Sequence, residues 1–227
     1  IAGPKQSRYL AFYTATFSLG ASASTAATGA IGHALDPAAA FLFTSVGGVS
    51  ALLLVALAVR PRPVAPDQRA PAWGALWQAA RNRQALGYSL AYAAHMWELY
   101  GFRAWLIAFL LLAVTGSLAP TGDTSYALWG AVLLLLGMPS SIIGNEIALK
   151  IGRRRLIVLV MCISAALALA FGAGSSLLFP ILLIVGAVYS LFVTADSASL
   201  TAGAVAAARP GQSGATMALH SLLGFAS

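Results

Sequence analysis

Long apolar runs dominate this chain, and their lengths decide its architecture. Six stretches are long enough to cross a bilayer, approximately Tyr9 to Ala34, Ala38 to Val59, Ala85 to Val114, Tyr126 to Leu149, Leu156 to Ala173 and Leu177 to Ala207, and a seventh begins near Gly214. A spanning α-helix needs about 20 apolar residues, whereas a barrel strand needs roughly 10 in alternation. The runs therefore predict an all-α polytopic membrane helical bundle with about six complete spans and a seventh begun.

Composition narrows the function classes. Hydrophobic residues make up 59% of the chain and charged residues only 8%, against about 25% charged in a soluble domain. The formal charge of +7 comes from thirteen Lys and Arg, too dispersed to line a groove for phosphates, so no nucleic-acid partner is expected. The expected partners are membrane lipids, a small solute and protons. Cys162 is the single cysteine, which excludes an internal disulfide or a Cys-based metal site. There is no metal-binding His-Glu spacing and no Gly-x-Ser-x-Gly, and "GAVAAARPGQSG" lacks the Gly-Lys-Ser/Thr ending of a phosphate loop. Neither catalysis nor a cofactor or metal is expected. The opening "IAGPKQSR" and the closing "ATMALHSLLGFAS" read as cuts within a larger membrane protein.

The basic residues fix an orientation. Lys5 and Arg8 precede the first span, Arg60 to Arg83 lie between the second and third, Lys150 to Arg155 between the fourth and fifth, and Arg209 between the sixth and seventh. Twelve of the thirteen thus fall on one side, which the positive-inside rule makes cytoplasmic. The expected location is a cell membrane, with the chain crossing it many times. The long loop "RPRPVAPDQRAPAWGALWQAARNRQ", Arg60 to Gln84, starts Pro-rich and stiff. It then places Trp73, Trp77 and Ala80 at helical spacing, as a short interfacial helix would.

Two spans are rich in small residues. "FSLGASASTAATGAIG" offers Gly20, Ala23 and Ala27 as a surface for close helix approach, and "YSLFVTADSASLTAGAVAAA" is similar. Pro139, in "GMPSSIIGNE", is expected to kink its helix, with Ser140 and Ser141 placed to take up freed backbone groups.

At "GNEIALKIGRRRLIV" the sequence resembles the short cytoplasmic loop motif of the major facilitator superfamily. Gly152, Arg153 and Arg154 match its end and Lys150 stands where its Arg would be, while Leu149 replaces its Asp and Asn145 its first Gly. Glu146 offers an acidic partner from another position. The resemblance implies a secondary transporter working by alternating access, with Lys150, Gly152, Arg153 and Arg154 as a gating loop. It also implies a division of the chain. Residues 1–59 would be the last two spans of an N-terminal half, 60–84 the central cytoplasmic loop, and 85–227 an incomplete C-terminal half.

In that family the first helix of each three-helix repeat lines the central cavity, and here those helices carry Glu98 and Asp196. An ionisable group in a span costs roughly 2.5 to 3.5 kcal/mol at the helix centre, which makes it a functional candidate by default. The stretch "AYAAHMWELYGFRAWLIAFLLLAV", Ala91 to Val114, holds His95, Glu98 and Arg103. His95 and Glu98 are three apart, as are Tyr100 and Arg103, so each pair can share a face. Glu98 and Arg103 are about 140° apart around the helix, so Arg103 is expected to find its acid on another helix, with Asp196 one candidate and the helices of the N-terminal half a source of others. Substrate or proton binding is expected at Glu98, Arg103, Asp196, His95 and Tyr100, with Arg103 suited to an anionic group. The rival reading is a receptor or assembly scaffold, in which these charges would be sequestered and paired.

Overall fold

The computed structural model describes residues 4–60, 72–115 and 125–227. The Pro-rich half of the central loop, with Arg62 and Arg69, and the segment holding Asp123 lie outside the described residues. Among the described residues ten α-helices run in chain order: α1 (Pro4–Ala34), α2 (Pro37–Ala58), α3 (Ala72–Ala80), α4 (Arg83–Thr115), α5 (Ser125–Leu135), α6 (Gly137–Ile151), α7 (Arg153–Ala173), α8 (Phe179–Ala195), α9 (Ser197–Ala207) and α10 (Ser213–Phe225). No strand occurs among the described residues.

Among the described residues five helical segments are long and apolar enough to cross a membrane: Pro37–Ala58, Arg83–Thr115, Tyr126–Ile151, Arg153–Ser176 and Phe179–Ala207. Helix α1 has the length, at 31 residues, but its Ser, Thr and Gly content keeps it below that apolarity.

Two spans are interrupted by one residue. Leu136 separates α5 from α6 and Asp196 separates α8 from α9. The first break follows from Pro139, whose ring removes an N–H and crowds the carbonyl four residues back. The nearby serines do not mend their own helix. Ser140 Oγ donates to the carbonyl of Leu191, Ser190 Oγ donates to that of Leu133, and Ser141 meets Thr14 Oγ1 at 3.1 Å. The hydroxyls join neighbouring helices because a partner backbone lies within reach of these small side chains. Each such bond between spans contributes about 0.6 kcal/mol.

Helix α1 packs against α5 and α6. Its buried face is Ser7, Ala11, Ala15, Ser18 and Ser22, one stripe at steps of three and four, and not the Gly20–Ala23–Ala27 face expected from the sequence. Gly20 and Ala23 are exposed because that stripe already holds the contact. Helix α2 buries no residue and touches α1. It starts cleanly, with Asp36 accepting from the Ala39 N–H at 2.7 Å and Pro37 in the first turn.

At the centre of α4, α7 and α8, three rings meet. Phe102 lies edge-on to Tyr189 at 4.7 Å between centroids and to Phe171 at 6.1 Å. Where α6 crosses α8, a Cβ on Gly144 would stand 1.8 Å from the Ala195 carbonyl oxygen, so the approach requires glycine.

The basic helix ends gather at one end of the bundle. Arg8 of α1 grips Glu146 of α6, Arg153 Nη2 donates to Ser7 Oγ at 3.3 Å, the Asn82 amide donates to the Ala207 carbonyl at 2.7 Å, and Gln212 meets Gln78 at 2.8 Å. Helix α3 lies against α10 and α4 with Ala79 buried and Trp73 and Trp77 turned outward.

Candidate functional site

A cavity of about 690 Å³ opens among α1, α4, α6, α8, α9 and α10. Helix α1 gives it a hydroxyl-rich wall from Thr14, Thr16, Ser18 and Ser24, with Tyr13 and Phe17. Thr14 and Thr16 satisfy their hydroxyl protons on carbonyls three residues back, Ala11 and Tyr13, so their oxygens remain acceptors toward the cavity. Helix α4 supplies Tyr92, His95, Met96, Leu99 and Arg103, and α10 supplies Met217, His220, Ser221 and Phe225.

Arg103 is the one Lys or Arg in this lining. Its guanidinium carbon sits 4.7 Å from the Phe17 ring centroid, a cation–π arrangement. Its Nε is buried without a hydrogen-bond partner, and no carboxylate pairs with it among the described residues. Asp196, the candidate acid within this sequence, does not pair with it. Asp196 is turned instead to His95, whose Nδ1 lies 3.0 Å from Asp196 Oδ1 with both side chains 2% exposed. His95 Nε2 meets Ser197 Oγ at 3.0 Å. The residue at the α8–α9 break thus turns to His95, and among the described residues no carboxylate turns to Arg103.

Glu98 points away from the cavity. It accepts from Ser164 Oγ of α7 at 2.5 Å and is near the Tyr189 hydroxyl, and it is absent from the lining. Three residues on α4 separate it from His95, yet the helix turns the two to different neighbours. Tyr100 is also outside the lining, its ring 6.3 Å from that of Phe225.

The loop residues lie at the basic end. Gly152 joins α6 to α7 at φ +92°, a backbone angle that favours glycine, and its N–H bonds the Ala148 carbonyl at 2.9 Å. Arg153 reaches Ser7, which in turn donates to Asn145 Oδ1 at 2.6 Å. Lys150 and Arg154 are exposed.

Sequence reasoning missed His220 and Tyr92. Their rings stack at 4.0 Å between centroids, and the Tyr92 ring also stacks toward His95 at 5.9 Å. His220 is 2% exposed. The signal was present, since a lone His inside "MALHSLLGF" is the same kind of intramembrane polar residue that singled out His95.

Apolar helices enclosing a largely apolar cavity edged by hydroxyls, with a cation inside that no carboxylate meets among the described residues and basic ends gathered on one side, define a multi-pass membrane transporter. The chain belongs to the Major Facilitator Superfamily, whose family model matches residues 1–227. Searches of curated proteins and of solved structures each returned no match.

Proposed function

We propose that the protein is a secondary transporter of a small organic anion, working by alternating access in a cell membrane with its basic helix ends in the cytoplasm. The observation that carries this reading is Arg103, a cation in the cavity with no carboxylate beside it among the described residues. A lone buried charge is costly, and a planar fork suits a carboxylate or other oxyanion in two bonds. A scaffold would have sequestered and paired this group.

In this reading residues 1–59 and 85–227 belong to two halves that rock about the cavity, and the 60–84 segment links them. The loop carrying Lys150, Gly152, Arg153 and Arg154 holds the basic end closed through Ser7 and, beside it, Arg8 and Glu146. A coupling proton resides on the His95–Asp196 pair, which borders the cavity through Ser197. Glu98 packs α4 against α7.

The test is charge displacement in proteoliposomes on a supported membrane, with a series of organic monocarboxylates applied to wild type and to Arg103→Gln and Arg103→Lys. Anion-evoked currents that vanish in the Gln variant and persist weakly in the Lys variant are expected. Undiminished currents in Arg103→Gln would overturn the reading.

A further inference from the structure

The cavity holds a second unpartnered polar group, and it sits on a different helix from Arg103. His220 of α10 lines the cavity, is 2% exposed, and has no hydrogen-bond partner at Nδ1 among the described residues. Its other nitrogen suggests a tautomer. Thr201 Oγ1 lies 3.2 Å from the Ser197 carbonyl and 3.5 Å from His220 Nε2; with the hydroxyl proton on the nearer carbonyl, the same oxygen accepts from Nε2. In that assignment Nε2 carries the proton and Nδ1 is left with a bare lone pair. A lone pair without a protein partner asks for a donor.

The two groups are spaced along one wall. Tyr92, which stacks on His220, and Arg103 are eleven residues apart on α4, so they share a face to within about 20° and lie about 16 Å apart along the axis. Both side chains lean toward the helix N-terminus and the longer Arg reaches further, so the guanidinium and the His220 ring stand on the order of 10 to 15 Å apart. Between them the wall is apolar: Met96 and Leu99 of α4 face Met217 of α10 and Phe17 of α1.

We infer that the ligand is recognised at two points: an anionic group at Arg103 and a hydrogen-bond donor, a hydroxyl or N–H, at His220 Nδ1, joined by an apolar or aromatic body. The inference rests on the anion reading of Arg103 and adds the far end of the molecule. A simple inorganic anion or an unsubstituted fatty acid meets only half of this site.

The test measures binding of three probes to the intact protein in detergent by calorimetry: 3-phenylpropionate, 3-(4-hydroxyphenyl)propionate and 3-(4-methoxyphenyl)propionate. The hydroxyl compound should bind roughly tenfold tighter than the other two, the range expected when a buried acceptor gains its donor. His220→Phe keeps a ring against Tyr92 and should reduce that preference to about one while still binding 3-phenylpropionate; His220→Gln serves as a second variant if the first misfolds. Arg103→Gln should weaken all three. Equal wild-type affinities, or a preference that survives both His220 variants, overturns the two-point site while leaving the anion reading intact. Loss of the preference in Arg103→Gln with retained affinity overturns the anion reading itself, and so does the absence of binding by all three probes to wild type.

Discussion

Arg8 and Glu146 form a two-bond fork across α1 and α6, with Nε to Oε1 and Nη2 to Oε2 each at 2.8 Å. They are 138 residues apart in sequence, and the neighbouring chain Arg153–Ser7–Asn145 closes the same junction. The superfamily-like loop lacks its usual Asp, with Leu149 in that place. The acidic group one turn earlier, Glu146, supplies the contact instead.

Exposed ion pairs contribute little on their own because water screens them, so deleting either partner is a weak test. Reversal is sharper. Arg8→Glu and Glu146→Arg each place like charges face to face and should lower the thermal midpoint in detergent, whereas the double exchange should recover most of the loss. A double exchange whose loss equals the sum of the singles would show that the two side chains do not interact.

Gly144 predicts a packing failure. Its Cβ position lies on the Ala195 carbonyl, which is backbone and cannot swing away. Gly144→Ala should therefore push α6 off α8 and destabilise by about 1–3 kcal/mol, the usual cost of overpacking, with Gly144→Val worse. Urea or thermal unfolding checks it; a neutral Gly144→Ala would show that α6 and α8 do not cross in tight contact at this point.

The helices were legible in the sequence because each apolar run is longer than any alternative structure needs, and Pro139 announces the break at Leu136; the break at Asp196, inside a run read as one span, was not foreseen. Partner choice was not legible. Helical spacing places His95 and Glu98 on one broad face, but whether a carboxylate turns to Ser164, as Glu98 does, or inward depends on which helix packs there, and that is a tertiary fact. Asp196 illustrates the same limit: the deepest acid and the deepest arginine make an obvious pair on paper, yet the turn between α8 and α9 delivers the acid to His95. The close-packing stripe of α1 was misplaced for a related reason, since a helix so rich in Ala, Ser and Gly carries small residues on every face.

The His95–Asp196 contact predicts an asymmetric response. Asp196→Asn keeps an oxygen near His95 Nδ1 and should cost about 1 kcal/mol. Asp196→Leu removes the acceptor and leaves a buried imidazole facing hydrocarbon, for which roughly 3–5 kcal/mol is the range for breaking a buried pair. Adding His95→Leu should restore part of that loss, because removing both polar partners is milder than removing one. Thermal unfolding of the three variants decides; equal losses for Asn and Leu would mean that the contact at 3.0 Å does not stabilise the fold.

Water access separates the cavity from its back wall. Ser24 and Ser221 line the cavity, while Glu98 lies behind it against Ser164. Thiols react as thiolates, and thiolates do not form in hydrocarbon or a packed interior. With exposed Cys162 replaced by Ser, Ser24→Cys and Ser221→Cys should label with a small charged methanethiosulfonate far faster than Glu98→Cys, and a ligand held at Arg103 should slow the first two and leave the third unchanged. Rapid labelling at position 98, protected by the same ligand, would move Glu98 into the cavity and return it to the set of residues that meet the substrate.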